Sequence, residues 1–172
     1  MNRFAVVMLC FVCFMFCAPS SSPEILVPMD ASQNDHLRAY GLVYDFLKSS
    51  GGRAGKTHWL LNVRGGSFLL PDHPAVADRA VEWGVTVESL SGAAMAQMEA
   101  QIEEANAAKI LLEKAPSIGV YAPPFQEMWD DAVLLVLNYA KIPYETIYDR
   151  DVLEGKLSKY DWLHMHHDDF TG

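Results

Sequence analysis

Beyond Cys17 this chain has no cysteine: Cys10, Cys13 and Cys17, its only three, lie in the first seventeen of 172 residues. Their absence from the body excludes a disulfide scaffold, a cysteine-based zinc site and a cysteine nucleophile there. Basic residues are also scarce, with 13 Lys+Arg against 22 Asp+Glu and a formal net charge of −9. That balance argues against a nucleic-acid backbone or an anionic membrane surface as the main partner. No internal repeat and no low-complexity tract occurs. Apolar residues are plentiful, 51% of the total, which suffices for a core and excludes intrinsic disorder.

The apolar excess is steepest at the start, where Arg3 precedes FAVVMLCFVCFMF from Phe4 to Phe16. A basic start, an apolar stretch of roughly 7–15 residues and small residues beyond it make a secretory signal peptide. The run is too short for a membrane span, which needs about 20 residues. Removal of residues 1–20, cut after Ala18 and Ser20 at the small-residue positions, would leave an exported chain without cysteine or transmembrane span. Its destination is the periplasm or cell surface. Lipid anchoring at Cys17 ranks second, because bulky Phe16 precedes it, and an uncleaved anchor ranks third.

From Glu24 onward, short apolar runs alternate with helical patterns. Strands are expected at 24–29, 57–63, 85–90, 117–122, 144–149 and 161–166. Helices are expected from about His36 to Lys48, with Leu37, Tyr40, Gly41, Tyr44 and Leu47 on one face, and over Pro74–Trp83 with proline in the first turn. A longer one is expected over 92–113, burying Met95, Met98, Ile102 and Ala105. Another covers 126–141, with Trp129, Ala132, Val133, Val136 and Ala140 inward and Asp130 and Asp131 near its positive end. A short helix or turn follows at 151–159. This alternation predicts a three-layer α/β protein with a mostly parallel sheet and helices on both faces, flavodoxin-like in order. It divides into units at 21–115 and 116–172. The last strand is not followed by its covering helix, so the expectation is an N-terminal piece of a longer protein.

Three segments invite a chemical reading. SSGGRAGKT (49–57) ends like a phosphate-binding loop, but Ser50 occupies the first glycine position and a helix precedes it where a strand should. It is read as a helix-to-strand connection. Arg64-Gly65-Gly66-Ser67 follows a strand, where α/β sheets gather ligands. Its guanidinium fork, glycine N–H groups and hydroxyl could hold a carboxylate or phosphate of a small-molecule ligand, against the plainer reading of a tight turn. The third segment is His164, His166, His167, Asp168 and Asp169. Strand alternation puts His164 and His166 on one face, with Asp168 at the strand's end. His164, His166 and Asp168 are competent as zinc or other divalent-metal ligands, or as acid and base. They match part of the His-x-His-x-Asp-His signature of metallo-β-lactamase-fold hydrolases, with Asp169 where the last histidine would stand. The plain alternative is histidines hydrogen-bonded at a sheet end.

Together ILVPMD, the Asn34–Gly41 helix start, LLNVRGGSFLL, WDDAV and YDWLHMHHDDFTG resemble a group of exported bacterial envelope proteins labelled asparagine synthetase B. Glutamine-dependent synthetases carry a cysteine after the initiator methionine, where this chain has Asn2, and an Asp-Ser pair where it has Ala54-Gly55. SIGVYA, the 126–141 helix, PYETIYD and YDWLHM also resemble the class I glutamine amidotransferase-like fold, whose nucleophile is a cysteine absent here. The first expectation is a non-catalytic or ligand-binding envelope module, with the Arg64–Ser67 loop and the His164–Asp168 cluster lining one cleft. The alternatives are a hydrolase completed by downstream residues, whether metal-dependent or amidohydrolase, and the glutamine-hydrolysing synthetase of the label.

Overall fold

The computed structural model describes residues 23–50, 57–105, 107–122 and 131–165. The expected signal segment, most of the 49–57 loop, Trp129, Asp130, His166, His167, Asp168 and Asp169 lie outside them.

The first part of the chain builds a five-stranded sheet from β1 (Glu24–Val27), β2 (His58–Leu61), β3 (Phe68–Pro71), β4 (Glu88–Leu90) and β5 (Ala108–Leu111), in the order β4-β1-β3-β2-β5. Every neighbouring pair is antiparallel. The expected mostly parallel sheet is therefore corrected for this part of the chain. Ile25, Leu26 and Val27 are all buried, and so are Phe68, Leu69 and Leu70. Such continuous apolar strands require cover on both faces, which is common in parallel sheets but does not itself set strand direction.

That cover comes from three helices. α1 (His36–Ser49) and α2 (Pro74–Trp83) pack Leu42, Val43, Val76 and Ala80 against Ile25, Val27, Phe68 and Leu70. α3 (Gly92–Glu104) packs Met95 and Ile102 on the opposite face, against Leu26, Leu60 and Leu69. Helices on both faces of a sheet are thus present, as expected. Side-chain caps start each helix: Asp35, His73 and Ser91 accept from backbone N–H groups of the first turn.

Two strands depart from the sequence pattern. The helix expected over 92–113 stops at Glu104, and Ala108–Leu111 becomes an edge strand on β2. Ile110 and Leu111 are 40% and 46% exposed, so ladder pairing rather than burial holds this run extended. β3 was not anticipated at all. Its presence makes Asn62–Ser67 the turn of a hairpin between antiparallel neighbours.

A separate three-stranded sheet follows, of β6 (Ile118–Tyr121), β7 (Glu145–Ile147) and β8 (Trp162–Met165), ordered β7-β6-β8. Both pairings are parallel. α4 (Ala132–Tyr139) connects β6 to β7 and seals one face, where Ile118, Val120 and Ala122 meet Leu134 and Leu137. Leu134 and Leu137 take the inward positions expected of Ala132 and Val136, which are exposed. α5 (Asp149–Leu153) and a 3₁₀ turn (Lys156–Lys159) lead into β8. Among the described residues no helix is long and apolar enough to cross a membrane.

α1 joins the two parts. Leu47 faces the antiparallel sheet, while Tyr44 packs into the core beneath α4 and donates its hydroxyl to the Pro116 carbonyl at 2.7 Å. Serving two partners widens its buried stripe to take in Leu42 and Val43, whereas Leu37 and Tyr40, expected inward, are 38% and 48% exposed.

Candidate functional site

The Arg64–Ser67 loop owes its shape to backbone conformations that glycine tolerates. Gly65 has φ 81°, and a Cβ there would lie 2.3 Å from the Met29 carbonyl oxygen. The Gly66 and Ser67 N–H groups both turn inward to the Val63 carbonyl, and the Ser67 hydroxyl donates to the Arg64 carbonyl at 3.1 Å. Arg64 donates through Nε to Asp30 at 2.7 Å, through Nη1 to both Glu88 oxygens at 2.8 and 2.9 Å, and through Nη2 to Ser32 at 3.0 Å. The guanidinium holds the Asp30 carboxyl well below the usual carboxylate range, helped by Ser32. The fork and the glycine-rich turn thus tie the end of β1 to β3 and β4. Sequence reasoning missed Asp30 and Glu88 because both partners are remote from Arg64 along the chain.

The parallel sheet has a different geometry. Its first strand, β6, is central, so its connections run to neighbours on opposite sides. In open parallel sheets this order creates a crevice at the carboxyl ends of the strands. Asp131 stands at that edge as the N-cap of α4, its Oδ1 accepting from Val133 N–H at 2.7 Å and Leu134 N–H at 3.3 Å. Its side chain is only 5% exposed. His164, opposite Val120 in the β6–β8 register, brings Nε2 to 3.4 Å from Asp131 Oδ2. The His164 ring is edge-on to Trp162, with centroids 6.5 Å apart, and its side chain is 22% exposed.

A buried carboxylate beside one ring nitrogen orients the imidazole and directs its other nitrogen elsewhere. The pair can bind a polar group, move a proton or support a metal ligand. Of the predicted cluster, only His164 lies within the described residues; His166 and Asp168 lie outside them, as does His167. Among the described residues no group of three or more His, Cys, Asp or Glu side chains is placed to hold a metal ion. Asp131 is the partner that sequence reasoning did not assign. It was read only as part of a helix start, a role it also fills, and no spacing rule links it to a histidine two strands away.

The Arg64 loop and His164 lie on different sheets, so the described structure places their roles separately. Comparison with known proteins adds no assignment: no family model, curated protein or solved structure matches the chain.

Proposed function

We propose that this chain is an exported α/β protein that binds a small polar ligand at the carboxyl edge of its parallel sheet, around Asp131 and His164. The observation that carries the reading is that pair: a 5% exposed carboxylate 3.4 Å from an imidazole, at the carboxyl edge of a parallel sheet whose first strand is central. A parallel unit of this order also accords with the class I amidotransferase-like resemblance. The nucleophile of that fold is a cysteine, and residues 18–172 contain none. Export rests on the Arg3 to Ser20 signal pattern alone.

Calorimetric titration with L-glutamine tests this reading, with ammonia release followed in parallel. Saturable binding without ammonia, abolished by His164→Ala, supports it. Binding that survives His164→Ala refutes the site, and absence of binding refutes the amidotransferase-like ligand class. Ammonia release would instead support the glutamine-hydrolysing alternative.

A metallohydrolase is the second reading, because metal-ligating histidines characteristically direct their other nitrogen to a carboxylate. Asp131 fits that supporting role, with His164, His166 and Asp168 as the ligands. Elemental analysis decides it: about one zinc per chain, lost in His166→Ala, is expected if the reading holds. A zinc-free protein after incubation with ZnCl2 refutes it.

A further inference from the structure

At the opposite, amino edge of the parallel sheet, a cleft of about 400 Å³ opens where this sheet meets α1. Its volume falls within the range of small-ligand sites, which favour such junctions. Tyr44 and Lys48 of α1 form one wall, Lys114 and Pro116 a second, and Tyr144 and Tyr160 a third.

The three tyrosines are held by their hydroxyls. Tyr44 donates to the Pro116 carbonyl at 2.7 Å, Tyr160 donates to Glu145 at 2.7 Å, and Tyr144 accepts from the Asn138 amide at 2.7 Å. Burial, and then the Asp161 charge, raises the Tyr44 hydroxyl; the Glu145 hydrogen bond, and then burial, raises that of Tyr160. Both remain neutral donors at physiological pH. Tyr160 has its seat because β6 carries glycine beneath it: a Cβ at Gly119 would lie 2.9 Å from the ring. The aromatic walls are therefore set before any ligand arrives, which lowers the ordering cost of binding.

The charges are unevenly committed. Lys114 is paired with Asp161 at 2.5 Å, and Asp161 also accepts from the Ser117 N–H and hydroxyl, each at 2.9 Å. The Glu145 carboxylate is engaged by Tyr160. Lys48 forms no ion pair with a described residue, although the chain as a whole is strongly acidic. An uncommitted ammonium beside fixed tyrosine rings suits one kind of occupant.

We infer that this cleft is a binding site for a small aromatic monoanion, its ring against Tyr44, Tyr144 and Tyr160 and its anionic group on Lys48. The site is independent of the Asp131–His164 reading, since it lies at the other edge of the sheet and shares no residue with it.

Benzoate is the probe, with benzyl alcohol as its uncharged counterpart, followed by backbone amide shifts of the isotopically labelled full chain. Saturable shifts are expected at Ser117, Ile118 and Glu145. Replacing the charge in Lys48→Met should weaken benzoate binding by about tenfold, the loss of one charge-assisted contact, while Lys48→Arg should stay within about threefold. Benzyl alcohol should bind about tenfold more weakly than benzoate. Lys48 is exposed on the last turn of α1, so its variants should fold normally. Absence of saturable shifts at these amides, shifts centred instead on the apolar Tyr121, Leu163 and Met165 face, or unchanged affinity in Lys48→Met would each overturn the inference.

Discussion

Replacing Gly41 by alanine probes the close approach of α1 to the C-cap of α4. In an unobstructed helix interior this change stabilises a protein by about 1 kcal/mol, because alanine is the better helix former. Here the new Cβ would lie 1.8 Å from the Ala140 carbonyl oxygen and 2.9 Å from its carbon. Ordinary contact begins near 3.4 Å, so α4 must retreat from α1 by roughly 1.6 Å. The obstacle is backbone at the C-cap of α4, which cannot rotate aside as a side-chain tip would. Retreat also disturbs the Arg38 guanidinium, 4.7 Å from the centroid of the Tyr139 ring, and the hydrogen bond from Tyr139 to Asp35. Overpacking of this kind costs about 1–3 kcal/mol, occasionally more. Once the propensity gain and the lost contacts are set against it, a net loss of about 1–2 kcal/mol is expected. Urea unfolding followed by tryptophan fluorescence should show the midpoint falling by roughly 0.5–1 M at unchanged slope. A midpoint equal to or above that of the parent chain would refute the close approach of α1 and α4.

Three further outcomes follow from local contacts. Gly119→Ala should unseat Tyr160 and break its bond to Glu145, destabilising the chain by about 1–2 kcal/mol and weakening benzoate binding, as measured by urea unfolding and amide shifts. Asp131→Ala should cost about 1 kcal/mol through the lost cap on Val133 and Leu134, whereas Asp131→Asn, which keeps an accepting oxygen, should cost only a few tenths; urea midpoints separate them. Asp161 is held at about 2 by the Lys114 ammonium first and by Ser117 next, below its ordinary 3.8. A lowered folded-state value means that its contribution is fully present well above pH 3.8 and is lost as pH falls through about 2. Asp30 shifts in the same direction. Urea midpoints between about pH 5 and pH 2 should therefore fall less steeply in Asp161→Asn, and 1 M salt should reduce the difference because the pair is exposed.

Local structure was legible wherever one chain segment carried its own instructions. Pro74 stands in the first turn of α2 and the helix spans Pro74–Trp83 as expected, with Gly84 as its left-handed cap, and Asp131 starts α4 by accepting from two of its N–H groups. The six expected strands all contain an observed one, because apolar runs bounded by polar or proline residues have few other uses. The failures share one cause. Ala108–Leu111 and Phe68–Pro71 are strands because of what pairs with them, β2 in one case and β1 with β2 in the other. The same missing pairing made Arg64–Ser67 resemble the end of a parallel strand, when it is a hairpin turn with its arginine bound to Asp30 and Glu88.

The sequence by itself determined the absence of cysteine after Cys17, the acidic balance, the signal-like start, the helix caps and the apolar runs. Each depends on composition or on neighbours within one turn or one strand. Only the tertiary structure decided strand direction, the split into an antiparallel and a parallel sheet, the pairing of Asp131 with His164, and the cleft beside Lys48. The physical reason is that a buried strand needs cover and a ladder partner, yet its own side chains are compatible with either direction of that partner. Charge and hydrogen-bond partners brought together by such pairing are separated along the chain by tens of residues, where no local periodicity reaches.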